Sequence, residues 1–230
     1  MPAALEEAFI RCRDMDASLP ERLQAFADAV RAWSPQFQDA VDRLVARLKQ
    51  YDVGESAPRP GELMPPFVLP DESGGLLTLD DVLEKGPAAI VFHRGHWCPY
   101  CRINTKALAE TQEQIAAEGA QVVAIMPDTQ QFAAGLKAES QAPFPILTDV
   151  DCGYALSLNL VFWVGSEMQQ LIAAAGWDIS NFQGNQTWML PVPATFVVCS
   201  DRKVTARFVD PDYRKRMAVE DLLASLKAAH

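Results

Sequence analysis

Cys98 and Cys101, separated by Pro99 and Tyr100, are the residues of this chain best suited to chemistry. The apolar run Ala88–Phe92 precedes them and reads as a buried strand. A short turn, His93–Trp97, follows, and the cysteines then open a helical pattern that continues to Glu118. Cys98 is thereby expected at a helix N-terminus, where unpaired N–H groups and the macrodipole favour a thiolate. Pro99 suits the first helical turn, where its missing N–H costs nothing. Cys101 falls one turn later, within reach of the first thiol. A C-x-x-C in a strand–turn–helix setting reads as a redox couple, with Cys98 the nucleophile and Cys101 the more buried resolving thiol. The alternatives are two inert core cysteines or a zinc site of His93, His96, Cys98 and Cys101. Four ligands within nine residues make tetrahedral geometry awkward.

The neighbours of the pair carry open readings. Arg94, a permanent cation, can donate to an oxygen bound at the reactive sulfur, or can be a solvated or salt-bridged turn residue. His96 can tune the Cys98 thiol or sit at the surface. Trp97 is expected beside the turn, shielding the thiols, and His93 reads as structural. Cys12 lies on an apolar helical face, Cys199 ends a strand, and Cys152 reads as a packed loop cysteine or a third redox thiol. Asp149 and Asp151 lack the ligand density of a calcium loop and read as a solvated turn.

The rest of the chain must position this pair. Residues 1–51 read as a helical extension. One face carries Leu5, Ala8, Phe9, Cys12 and Met15, and Ser18–Glu21 reads as a capping box before Leu23, Phe26, Val30 and Trp33. Ser34-Pro35 opens a further helix with Phe37, Val41, Leu44, Val45 and Leu48 on one side. The extension shows no chemistry of its own; it is expected to cover part of the core or form a subunit interface, and a homodimer would suit it. Residues 52–66 read as a linker. The catalytic domain, 60–230, then alternates: a hairpin around Asp71–Gly75, a short helix from Thr78, strand 88–92, helix 98–118, strand 122–126, helix 128–140 and strand 145–147. Strands 194–198 and 204–209 and a helix over 217–228 close it. Residues 150–190, with Trp163, Trp177, Phe182 and Trp188, read as an insertion over one end of the sheet. The pattern is α/β, with a mostly parallel sheet and covering helices.

Bulk properties set limits. The chain has 230 residues, of which 49% are hydrophobic, so a sizeable core can form. A net charge of −10 argues against nucleic acid or an anionic membrane as partner. No apolar run approaches the ~18 residues a span needs, and the N-terminus lacks a basic, apolar leader. The five scattered cysteines fit a reducing, cytoplasmic compartment.

Taken together, Met64–Leu69, Phe92–Cys101 and Val192–Phe196 resemble the alkyl hydroperoxide reductase / thiol-specific antioxidant family, the peroxiredoxin-like branch of the thioredoxin-fold superfamily. The resemblance implies a thioredoxin-like fold, a central mixed sheet flanked by helices. It also implies a cis peptide at Pro193 beside the reactive pair. The family places Thr or Ser three residues before its peroxidatic cysteine; here Gly95 precedes Cys98 and Cys98 precedes Cys101 at that spacing. The implied function is a thiol peroxidase that reduces hydrogen peroxide or organic hydroperoxides. It would use the Cys98–Cys101 dithiol without a cofactor and be re-reduced by a thioredoxin or glutathione-type thiol. The glutathione- or protein-disulfide-linked oxidoreductase is the second expectation, favoured by the Pro-Tyr dipeptide. A redox-gated binding module is the third.

Overall fold

In the computed structural model, which describes residues 1–229, the strand that feeds the cysteine turn is the middle of a five-stranded sheet. That strand, β3 (Ala88–Phe92), is buried at every position. It pairs in parallel with β4 (Gln121–Met126) and antiparallel with β8 (Ala194–Val198). Beyond β4 lies β5 (Ile146–Thr148), parallel, and beyond β8 lies β9 (Val204–Val209), antiparallel. The sheet is thus mixed, and helices cover both faces, which is why β3 is a continuous apolar run. Ala88, Ile90 and Phe92 join one core, and Ala89 and Val91 the other.

Before the sheet, β1 (Val68–Pro70) and β2 (Leu76–Thr78) form the expected hairpin, and Thr78 caps α4 (Leu79–Leu83). The helical pattern after Cys98 is two helices, α5 (Pro99–Glu110) and α6 (Gln112–Ala117). They meet at Thr111, whose hydroxyl donates to the Ala107 carbonyl at 2.8 Å. That side-chain bond competes with the backbone ladder there. Next, α7 (Gln130–Ser140) starts two residues later than the sequence pattern suggests, because Thr129 takes the N-cap and leaves Asp128 in the preceding loop. The closing helix, α11 (Val219–Lys227), packs Leu222 and Leu226 into the second core.

The extension contains α1 (Ala3–Arg13), α2 (Leu19–Trp33) and α3 (Pro35–Gln50). As the sequence suggests, Glu21 accepts from both the N–H and the hydroxyl of Ser18, and Ser34 Oγ accepts from the Phe37 N–H. The apolar faces are not left over for a partner. Phe9 and Phe26 are fully buried, and Phe26 meets Tyr100 of α5 edge-on at 5.2 Å. Burying each such ring stabilises the fold by roughly 1.5–3 kcal/mol, so α1 and α2 are structural cover for α5. Residues 52–66 are pinned rather than loose. The Gly61 and Met64 N–H groups donate to Val204 and Arg202 carbonyls, and Arg207 holds the Ala57 carbonyl.

The insertion holds a 3₁₀ turn (Val150–Cys152), α8 (Gly153–Ser157), the hairpin of β6 (Val161–Trp163) and β7 (Met189–Pro191), α9 (Ser166–Ala174) and α10 (Ile179–Gln183). Asp149 is not a solvated turn residue. Its buried carboxylate accepts the Tyr154 and Ala155 N–H groups at 2.8 and 2.9 Å, starting α8.

Candidate active site

β3 pairs Phe92 with Ile125 on one side and with Ala194 on the other. His93, Asp128 and Pro193 therefore leave the sheet at one edge, and the cysteine turn sits there. Gly95 makes the turn. Its φ is +139°, and a Cβ would lie 2.5 Å from Asp128 Oδ1 and 2.6 Å from Trp97 Nε1. Cys98 is the N-cap of α5 and Pro99 its first residue, as expected. The Cys98 carbonyl accepts from the N–H groups of Cys101 and Arg102, so the two thiols are one turn apart.

The surroundings of the two sulfurs differ. Cys101 Sγ accepts the Arg94 N–H and the Arg216 Nη2 at 3.3 Å each. Cys98 Sγ has one cation, Arg94 Nη1, at 4.0 Å. Both residues are buried. Burial pushes Cys98 well up, and the neighbouring Cys101 pushes the same way. Burial also opposes ionisation of Cys101, but its bond with Cys98 and the charges of Arg216 and His93 hold it well down. The donors and charges around the pair thus favour a thiolate at Cys101 over one at Cys98. This corrects the expectation that helix-start placement would ionise Cys98: the stronger donors converge one turn further in.

Arg94 is 2% exposed, so it is not a solvated turn residue. Its guanidinium lies 3.7 Å from the Tyr213 ring and 4.9 Å from the Trp97 ring, and its Nε has no partner. Trp97 is buried over the turn and donates to the Arg94 carbonyl at 3.2 Å, as a shield should. A cavity of about 30 Å³ adjoins Cys98, with Arg94, Trp97, Tyr100 and Tyr213 in its walls. Cys101 is not among its lining residues.

His96 does not serve the thiols. Its ring bonds Glu139 of α7 at 2.8 Å, and its N–H donates to Asp128 at 2.7 Å. Glu139 also takes Arg102 of α5 in a bidentate contact and Arg13 of α1 at 3.3 Å. Despite partial burial, which raises it, those partners hold the Glu139 carboxyl at about 2. With His96 turned to Glu139, the four residues of the zinc reading do not gather as ligands, and no such cluster exists among the described residues. Pro193 is buried at the site's edge, but no peptide bond among the described residues is cis. The Val192 N–H is used in place, donating to Leu160. Cys152 is a packed loop cysteine: burial, then Asp149 and Asp151, push its thiol up to about 12.

Three residues of the site escaped the sequence. Arg216 is buried, and its Nη1 is anchored on the Tyr213 and Lys215 carbonyls, which aims Nη2 at Cys101. It lies in the charged stretch 210–216, where no periodicity marks an inward residue. Tyr213 sits under Arg94. Asp128, fully buried with Oδ1 unpartnered, has its carboxyl pushed up to about 8 by burial, with Cys101 adding to the shift. An aspartate directly after Met126-Pro127 carried no signal beyond a loop.

The sequence profile of the AhpC/TSA family matches residues 60–207. The chain belongs to that family. It is a thiol-dependent redox enzyme with a thioredoxin-like fold, and the match excludes the N-terminal helices. No curated protein is significantly similar to the chain. Among solved structures it is similar to the peroxidoxin BcpB of Mycobacterium tuberculosis, at 21% identity and a TM-score of 0.58, over 75% of this chain and 99% of that one. It is also similar to a cysteine-to-serine mutant of peroxiredoxin 6 from Arenicola marina, at 17% identity and TM-score 0.55, over 72% and 70%. Xanthomonas campestris peroxiredoxin Q follows at 15% and 0.53, over 70% and 90%. At these identities the likeness is one of fold. No helix of the described residues is long and apolar enough to cross a membrane.

Proposed function

We propose that the chain is a thiol peroxidase in which Cys98 attacks the peroxide and Cys101 serves first as its base and then as the resolving thiol. The observation that carries this is the division of labour between the sulfurs: Cys98 lines the cavity, whereas Cys101 holds the charge against Arg216 and the Arg94 N–H. As peroxide enters, the Cys98 proton moves to Cys101. The Cys98 thiolate attacks the terminal oxygen, an S–O bond forms, and the O–O bond breaks. The leaving hydroxide, or alkoxide where the substrate is an organic hydroperoxide, takes that proton from Cys101. Cys101, again a thiolate, attacks the Cys98 sulfenic acid, forming the disulfide and expelling hydroxide. Arg94, with a free Nε at the cavity, steadies the developing oxyanion. A thioredoxin- or glutathione-type thiol returns the pair to the dithiol. The five unpaired cysteines fit a reducing, cytoplasmic setting for such a cycle.

The test is stopped-flow oxidation of the reduced protein by hydrogen peroxide, with mass spectrometry of the product. Cys98→Ser is expected to abolish the reaction. Cys101→Ser is expected to slow it ~10²–10⁴-fold, the range for loss of a general base, and to stop at a Cys98 sulfenic acid. A Cys98→Ser protein oxidised on Cys101 at the parental rate would move the attack to Cys101. An unreactive parent that instead forms a mixed disulfide at Cys98 with a model disulfide would replace peroxide by disulfide as the substrate.

A further inference from the structure

Part of the wall of the reactive cavity is made by helices outside the family match. Phe26 and Val30 of α2 and Phe37 of α3 line it, together with Ile172 and Trp177 of the insertion. All five lie outside the strands that carry the cysteine turn, and the first three lie outside the family match altogether. They are held firmly. Phe26 packs edge-on against Tyr100 at 5.2 Å, and Phe37 meets Trp177 at 6.2 Å. Trp177 in turn meets Trp97 at 6.4 Å, so the extension, the insertion and the cysteine turn are joined by one chain of rings. Phe26, Val30 and Phe37 are each at most 7% exposed.

The space they leave is small. A water molecule needs roughly 10–15 Å³ of such a cavity, and this one measures about 30 Å³. Two oxygen-sized bodies fit beside Cys98, and a hydrocarbon tail does not. The wall is also apolar, apart from Arg94, so a tail that did enter would be resisted by shape and not by loss of polar partners.

We propose that the N-terminal helices set the substrate size of this enzyme. Phe26, Val30 and Phe37 close the cavity around hydrogen peroxide and exclude bulky organic hydroperoxides. This rests on the peroxidase reading above and adds to it a specificity wall from residues outside the family match. Neither Cys101 nor Arg216 lines the cavity, so the three side chains act on the substrate's tail and not on the thiolate. A hydrophobic wall that changes by one or two methyl groups alters selectivity roughly 10–200-fold, and the smallest change is expected at the lower end of that range.

The experiment measures second-order rate constants for oxidation of the reduced full-length chain by hydrogen peroxide and by cumene hydroperoxide. The parent should prefer hydrogen peroxide. Val30→Ala and Phe37→Leu should raise the cumene-to-hydrogen-peroxide ratio about tenfold. Val30→Phe should fill the cavity and slow both peroxides. Val30→Ala and Phe37→Leu both remove little volume, so one serves as a check should the other melt below assay temperature. A folded variant with an unchanged ratio overturns the specificity wall while leaving the peroxidase reading intact. A parent inert to both peroxides overturns the reading and the wall together. A parent that already prefers cumene hydroperoxide overturns the wall alone.

Discussion

One helical turn separates Cys98 from Cys101, yet their surroundings are opposites. Around Cys98 are aromatic rings, a small cavity and one guanidinium at 4.0 Å. Cys101 has two donors at 3.3 Å, one of them a buried arginine, and no cavity. Access and charge are thus placed on different sulfurs. A lone helix-start cysteine would have to combine both. A pair at this spacing can divide them, because a proton shared between two adjacent sulfurs needs no solvent to move. The cost is dependence: the reactive Cys98 is only as good as the cations that hold the charge on its neighbour.

That dependence is the easiest point at which to break the comparison. Arg216→Met removes a charged donor from Cys101 and keeps the bulk. A hydrogen bond to a charged group is worth about 1.5–3 kcal/mol, so Cys101 should be largely protonated at neutral pH, and for want of that base the peroxide reaction there should slow ~10–100-fold. The thiolate's ultraviolet absorbance should also titrate at higher pH than in the parent, a shift that a merely structural arginine would not produce. Arg216→Lys should recover part of the rate, because it restores the charge without the fork. An unshifted titration with a lowered rate would mean that Arg216 acts on the substrate and not on Cys101.

How much of this was legible in the sequence divides along the same line. β3, β8 and β9 are found at the boundaries their alternation and apolar runs suggest, and the C-x-x-C turn opens its helix at Cys98. Local patterning carries those features. The charge on Cys101 was not legible, because Arg216 is 115 residues away in sequence and reaches the site only through the β8–β9 hairpin and the irregular stretch after it. The extension's role was half legible. Its apolar faces were plain, but their target, Tyr100 and the cavity, is a tertiary fact. His96 misled for a related reason: nearness in sequence to Cys98 could not show that Glu139 would claim its ring.

The Glu139 cluster is a second meeting point of cations near the turn, and it differs in being saturated. Arg102, His96 and Arg13 converge on one carboxylate. Its carboxyl is held at about 2 against an ordinary 4.5. A lowered pKa in the folded state gives stability that is complete above about pH 4.5 and is lost as the pH falls towards 2. Glu139→Gln should therefore lower stability at neutral pH by about 2–3 kcal/mol. It should also flatten the melting-temperature profile between pH 4.5 and 2, where the parent should fall. Peroxide rates at pH 7 should change little. A large rate loss with unchanged stability would make the cluster part of the reaction and erase its contrast with Arg216.

Asp128 lies between the two clusters and offers the finest test. One oxygen accepts the His96 N–H at 2.7 Å, and the other is buried without a partner. Burial, with Cys101 adding to the shift, pushes its carboxyl up to about 8 from an ordinary 3.8. The sign is opposite to that of Glu139. Where the folded pKa is raised, the stability this group contributes is complete below about pH 3.8. It is then lost as the pH rises to about 8, because the unfolded chain ionises there and the folded chain resists. Asp128→Asn keeps an acceptor for the His96 N–H and removes the titration. The variant should melt near the parent at pH 4. It should gain on the parent with each pH unit, reaching an advantage of at least about 1 kcal/mol by pH 8. Melting curves of both proteins in their reduced form across pH 4–9 measure it. A difference that stays flat with pH would mean that Asp128 is already ionised in the fold.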